Sequence, residues 1–135
     1  MSLHLEIVTP EDRVYDNTID SVVIPAATGE MGILPGHIPV VAQLEAGELQ
    51  VTTNGKTELL VVGRGFARVE GDTVSVLAES AINEEQIDEK AVEEAIARAE
   101  KALKEAEKSD PAEVERLEGI LRFTAAQLIA KRRKR

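Results

Sequence analysis

Few residues in this chain have the type and spacing of a reaction centre. The two histidines, His4 and His37, are remote from each other and lack the HExxH spacing that sets two imidazoles on one helix face. Cysteine is absent, which removes thiolate nucleophiles, disulfides and thiolate metal sites and says little about the compartment. There is no GxSxG elbow and no Walker A loop. Gly63-Arg64-Gly65 is too short to cradle a phosphate and reads as a bulge or strand bend. Acidic and serine side chains brought together by folding are the one remaining route to a hydrolase. The expectation is no catalytic residue and no metal centre.

The most distinctive stretch is Gly29-Glu30-Met31-Gly32-Ile33-Leu34-Pro35-Gly36-His37-Ile38-Pro39. Gly32, Pro35, Gly36 and Pro39 fix a tight path and allow another backbone to approach closely. Taken alone, the stretch is either a contact surface or a turn between strands that satisfies His37 internally.

The elements that position these residues divide in two. Up to about residue 82 the pattern is that of strands: Leu3, Leu5 and Ile7 alternate with His4 and Glu6. Ser21–Ile24 and Val40–Val41 are short β-branched runs. Glu48–Thr53 and Lys56–Val62 flank Asn54-Gly55, which suits a two-residue type I′ hairpin. Gly65–Glu70 and Thr73–Ala78 flank Gly71-Asp72, a second tight-turn signal. Frequent turns without an intervening helix predict a β-sandwich or barrel.

From Asn83 the composition turns to Ala, Glu and Lys, strong helix formers. Asn83 to Gln86 offers a first capping box and Asp88 a second possible cap. Val92, Ala95 or Ile96, Ala99, Ala102 or Leu103 and Ala106 form an amphipathic stripe. Ser109-Asp110-Pro111 interrupts it; Asp110 caps, Pro111 opens the next helix and Glu113 completes the box. A second stripe runs through Val114, Leu117, Leu121, Thr124 or Ala125, and Leu128. The fold class is thus α+β: an N-terminal antiparallel β-sandwich over residues 1–83, then a C-terminal two-helix antiparallel hairpin over 84–135. The Ala-rich seam is narrow. A fully buried Leu or Val contributes about 1.5–3 kcal/mol, against about 1–2 kcal/mol of backbone entropy per ordered residue. A partner would decide where such a hairpin sits.

Composition limits the function classes. The 135 residues are 43% hydrophobic, enough for a core, and Tyr15, Phe66 and Phe123 are the sole aromatics, so that core is aliphatic. No run of about 18 apolar residues exists to cross a bilayer, and the opening MSLHLEIVTPEDR lacks a basic leader and apolar core. A net charge of -9 argues against nucleic acid and anionic lipid. Yet residues 110–135 carry seven bases and four acids, every acid lying before Gly119. That basic end suits an acidic partner, a stand-alone module gripping a polyanion, or a solvated, frayed tail.

The run GEMGILPGHIPVVAQLEAGEL resembles the signature of the ε subunit family of bacterial-type F-type ATP synthases, whose mitochondrial counterpart is called δ. The opening LEIVTPEDRVYD, the stretch VVGRGFARVEGDTVSVLAESA and the helical end are similar to the same family, in the same order. The resemblance implies a non-catalytic rotor subunit, peripheral on the cytoplasmic side of the cell membrane, in a proton- or sodium-driven synthase. It implies that the sandwich binds the γ subunit and the c-ring. Glu30 falls where the family sets an acid against polar c-subunit loops; Met31, Ile33, Pro35, His37 and Pro39 would shape that end and its γ-facing edge.

In bacterial relatives the hairpin extends along γ and opposes ATP hydrolysis by meeting an acidic segment on the catalytic subunits. The resemblance therefore implies contacts to the α and β subunits from Arg116, Arg122, Lys131, Arg132, Arg133, Lys134 and Arg135. Some members bind ATP on the folded hairpin through I-D-x-x-R-A. Here Ile87 and Asp88 match, but Ala91 stands where the arginine belongs, which removes a charge-assisted phosphate contact. Regulatory ATP would rest on Ile87 and Asp88 alone, so no cofactor is expected.

Overall fold

Period-two patterning becomes strand at each place it occurs. The structure, a computed structural model, describes residues 2–106 and 110–133, with Arg133 by its backbone alone. Ten strands come first: β1 Leu3–Val8, β2 Arg13–Ile19, β3 Ser21–Ala26, β4 Gly29–Ile33, β5 Val40–Leu44, β6 Gly47–Thr53, β7 Lys56–Val62, β8 Gly65–Glu70, β9 Thr73–Ala78 and β10 Ala81–Asn83. A 3-10 turn over Glu84–Gln86 leads to α1, Glu89–Ala106, and then α2, Pro111–Arg133.

The strands follow the order β10-β7-β6-β3-β5-β8-β9-β1-β2, with β4 added beside β3. This sheet closes over one aliphatic interior as a β-sandwich, to which β1 gives Leu3, Leu5 and Ile7, β3 gives Val22 and Ile24, and β9 gives Val74 and Val76. Pairing is antiparallel except where β1 runs parallel to β9. Local turn signals report hairpin neighbours and carry no trace of that long-range pair. The Asn54-Gly55 turn has φ of 52° and 78°, as a type I′ turn requires, and the Asn54 amide donates to Asp20 Oδ2 at 2.8 Å.

Three strands had no sequence signal of their own. Most of β2 is exposed, so it lacks an apolar alternation; β4 lies in the Gly-rich segment; β10 has three residues. At β7 three consecutive residues are buried because both faces are covered. Leu60 and Val62 face the sandwich interior, and Val61 lies under the helices.

The hairpin is folded down, with α2 between α1 and strands β6 and β7. Hence α2 buries residues on more than one side: Leu117, Thr124, Gln127 and Ala130. The Thr124 hydroxyl stays satisfied by donating to the Ile120 carbonyl at 2.8 Å. On α1, Val92, Ala99 and Ala106 form the buried line.

The helix starts differ in detail from the expectation. Asn83 caps the 3-10 turn, its side chain accepting from the Glu85 amide, while Asp88 caps α1 by accepting from Lys90 N (3.1 Å) and Ala91 N (3.3 Å). Asp110 caps α2 by accepting from Ala112 N at 3.0 Å. The Glu113 carboxylate is held by Arg116 instead of closing a box on Asp110, at 2.5 and 3.1 Å. Ser109 lies outside the described residues. Among the described residues no helix is long and apolar enough to cross a membrane.

Candidate functional site

The Gly-rich segment is strand first and turn second. Residues 29–33 pair antiparallel with β3, Glu30 opposite Pro25, Met31 opposite Ile24 and Ile33 opposite Val22. Alternation then assigns each side chain its place. Ile33 is fully buried and Met31 packs on the main core, so both shape this end of the sandwich from within. Glu30 is exposed on the opposite face and shares a shallow groove of about 190 Å³ with Ala126 and Ile129 of α2.

The turn that follows is closed by the His37 amide donating to the Leu34 carbonyl at 3.1 Å. His37 Nδ1 lies 2.7 Å from the Ile38 carbonyl, which satisfies the imidazole locally. Pro35 is half-buried and Pro39 exposed. The tight path turns Leu34 and Ile38 outward, Ile38 with 74% of its surface exposed.

A second exposed apolar surface lies on the sheet. Across β5, β8 and β9 the register aligns Gln43, Phe66 and Leu77, with Val41 opposite Arg68. Phe66 and Leu77 are 57% and 58% exposed and Val41 is exposed beside them. A cleft of about 620 Å³ adjoins them, bordered by Val8, Pro10, Arg64 and Glu79. Gly65 makes this packing possible. A Cβ there would lie 1.9 Å from the Leu77 carbonyl oxygen, a clash with backbone that cannot give way.

Sequence reading passed over Leu34, Ile38, Val41, Phe66 and Leu77. The signal was present: once Ala67 and Val69 are set inward, Phe66 must share the outer face with Arg68 and Glu70. A large apolar residue in that phase marks a surface that solvent alone would not select.

Among the described residues, Arg116, Arg122, Lys131 and Arg132 of α2 sit in ion pairs within the chain. Arg116 pairs with Glu113, and Arg122 Nη2 lies 3.4 Å from Glu118. The Arg116 guanidinium, through its hydrogen bonds and charge, holds the Glu113 carboxyl below the usual carboxylate range. Lys131 Nζ is 3.6 Å from Glu84 Oε1, and Arg132 reaches Glu89 (3.4 Å) and Glu93 (2.9 Å). The Arg133 side chain, Lys134 and Arg135 lie outside the described residues. Ile87 is buried beside Val61, Val92 and Ala130, and Asp88 is occupied as the α1 cap.

Elsewhere, His4, Glu6 and Asp16 bring one ligand-type atom each within 4.8 Å of one another. His4 Nε2 stands 2.5 Å from Asp16, and Arg13 spans Asp16 (3.3 Å) and Glu6 (3.9 Å). With a guanidinium already over both carboxylates, the cluster is an exposed cross-strand charge network.

Comparison with known proteins bears on what these surfaces meet. Residues 2–84 match the family described as ATP synthase, Delta/Epsilon chain, beta-sandwich domain. The ATP synthase epsilon chain of Bacillus velezensis is 41% identical over 127 residues, covering 94% of this chain and 95% of that one. That of Nitratidesulfovibrio vulgaris is 47% identical over 102 residues, 76% of each chain. Among solved structures, a chain of the Euglena gracilis mitochondrial ATP synthase, OSCP/F1/c-ring in rotational state 1, superposes with a TM-score of 0.75 at 26% identity. That match covers 96% of this chain and 81% of that one.

Proposed function

The chain belongs to the ATP synthase delta/epsilon family, and we propose that it joins γ to the c-ring as a non-catalytic central-stalk subunit and restrains ATP hydrolysis through its hairpin. In this reading it sits peripherally on the cytoplasmic side of the membrane, and the coupling ion, proton or sodium, never touches it. Its mechanism is binding and change of position; the chemistry belongs to the α and β subunits.

The observation that carries the reading is the sheet face of Val41, Phe66 and Leu77. Rigid strands hold these side chains in solvent beside an open cleft, an arrangement that marks a protein interface. We assign this face to γ. Leu34, Ile38 and Glu30 are assigned to the c-ring loops, with Met31, Ile33, Pro35, His37 and Pro39 shaping the same end. The docked hairpin is the unbraked state, and Arg116, Arg122 and the basic end act once it extends. A module that grips polyanions is disfavoured, since a net charge of -9 repels them at long range.

Charging the sheet face tests the assignment. Phe66→Glu with Leu77→Glu should weaken binding to purified γ by at least about tenfold, as loss of central apolar anchors does. Circular dichroism should be unchanged, because both side chains point away from the core. Unaltered affinity in a folded variant would remove this face from the interface.

A further inference from the structure

The part of the hairpin that anchors it to the sandwich is also the part whose cations the proposed brake needs. Ala130 is fully buried in a small cluster with Val61, Ile87 and Val92. The next residue, Lys131, directs its ammonium to Glu84, 3.6 Å from the carboxylate and 3.4 Å from the backbone carbonyl. Glu84 is 4% exposed and follows Asn83, which pairs with Leu60 of β7, so this carboxylate moves with the sandwich. Arg132 instead reaches Glu89 and Glu93 of α1 and ties the two helices to each other.

We propose that Glu84 is a latch: its buried carboxylate holds Lys131 and keeps the hairpin down, so that docking and braking exclude each other by using the same residues. The consequence for hydrolysis rests on the brake reading above, whereas the latch is a property of the isolated chain. A buried carboxylate and its ammonium lose hydration together, and removal of one strands the other. Release of the hairpin returns both to water. The two ends of the pair then have opposite effects on activity. Glu84→Gln frees the hairpin with all its cations, which strengthens braking. Lys131→Ala with Arg132→Ala also frees the hairpin but removes the groups that would brake.

The chain contains no cysteine, so a distance between two introduced labels reads docking directly. Spin labels at Thr28→Cys on the sandwich and Glu115→Cys on α2, both exposed positions, suffice. In the full chain, Glu84→Gln should raise the ratio of released to docked hairpin about tenfold, equivalent to about 1.4 kcal/mol. Lys131→Gln reads the same pair from its other end if Glu84→Gln does not fold. In the reassembled catalytic head, hydrolysis should fall with Glu84→Gln and rise with Lys131→Ala, Arg132→Ala. A distance distribution unchanged by both single variants at low salt overturns the latch, whereas hydrolysis shifting in the same direction for the two ends overturns the claim that docking and braking use the same cations. Release without any change in hydrolysis would uphold the latch and sink the brake reading instead.

Discussion

Glu30 shows how far a single residue can be read. Its place in the signature marks it for attention, and its exposure opposite Pro25 means that the fold does not need the carboxylate. At the proposed c-ring contact, a carboxylate facing basic loop groups would aid register more than affinity. Glu30→Lys should weaken coupling of ion flow to synthesis, with a change at the contact of about 1 kcal/mol, roughly fivefold in an equilibrium. The measurement is ATP-driven pumping in reconstituted vesicles. Because Glu30 also lines the groove beside Ala126 and Ile129, the label distance between sandwich and α2 must be read alongside. Pumping equal to that of the unmodified complex would leave Glu30 as an exposed strand residue with no role in coupling. Ile33 teaches the complementary lesson: it belongs to the same signature and is fully buried, because residues 29–33 alternate as a strand. A motif gives the segment, and the phase of the strand decides which of its side chains a partner can touch.

At the scale of elements, local chemistry was legible wherever its cause was local. The Asn54-Gly55 turn, the Asp88 and Asp110 caps and the buried line of α1 follow from residues a few positions apart. By contrast, α2 buries Gln127 and Ala130 outside its expected stripe and leaves Val114, Leu121 and Leu128 half-buried, because it packs on β6 and β7 as well as on α1. The parallel pairing of β1 with β9 and the position of Glu84 against Lys131 depend on residues far apart in sequence, and no spacing rule encodes them. The expected narrowness of the Ala-rich seam fits the packing of α2 on β6 and β7 as well as on α1. The α1 start carries its own prediction. Ala91 occupies the position of the arginine in the family's ATP motif, Asp88 is committed to capping, and Arg132 is held by Glu89 and Glu93. Millimolar ATP should therefore leave the melting temperature of the isolated chain unchanged. Binding at concentration c raises stability by RT ln(1 + c/Kd), so even a ligand at about 100 times Kd would add about 2.7 kcal/mol and be plainly visible. A rise in melting temperature that depends on ATP concentration would restore nucleotide sensing despite the missing arginine.

For the molecule as a whole, two apolar clusters of unequal size set the division of labour. The main core is closed within the strands, whereas the smaller one joins Val61 to Ile87, Val92 and Ala130. The sandwich should keep its shape when the helices leave, and the helices should be able to leave. The side chains of Val41, Phe66 and Leu77 and the Glu30–Pro39 segment belong to the sandwich, while α2 adds Glu115 to the adjoining cleft and Ala126 and Ile129 to the Glu30 groove. The most direct measurement is thus the affinity for γ of residues 1–83 alone, carrying Val61→Thr so that the uncovered strand face stays polar. The account predicts a folded fragment whose dissociation constant lies within about threefold of the full chain, a difference under about 1 kcal/mol. A folded fragment without measurable affinity for γ would contradict it, and would move the rotor contact to the helices.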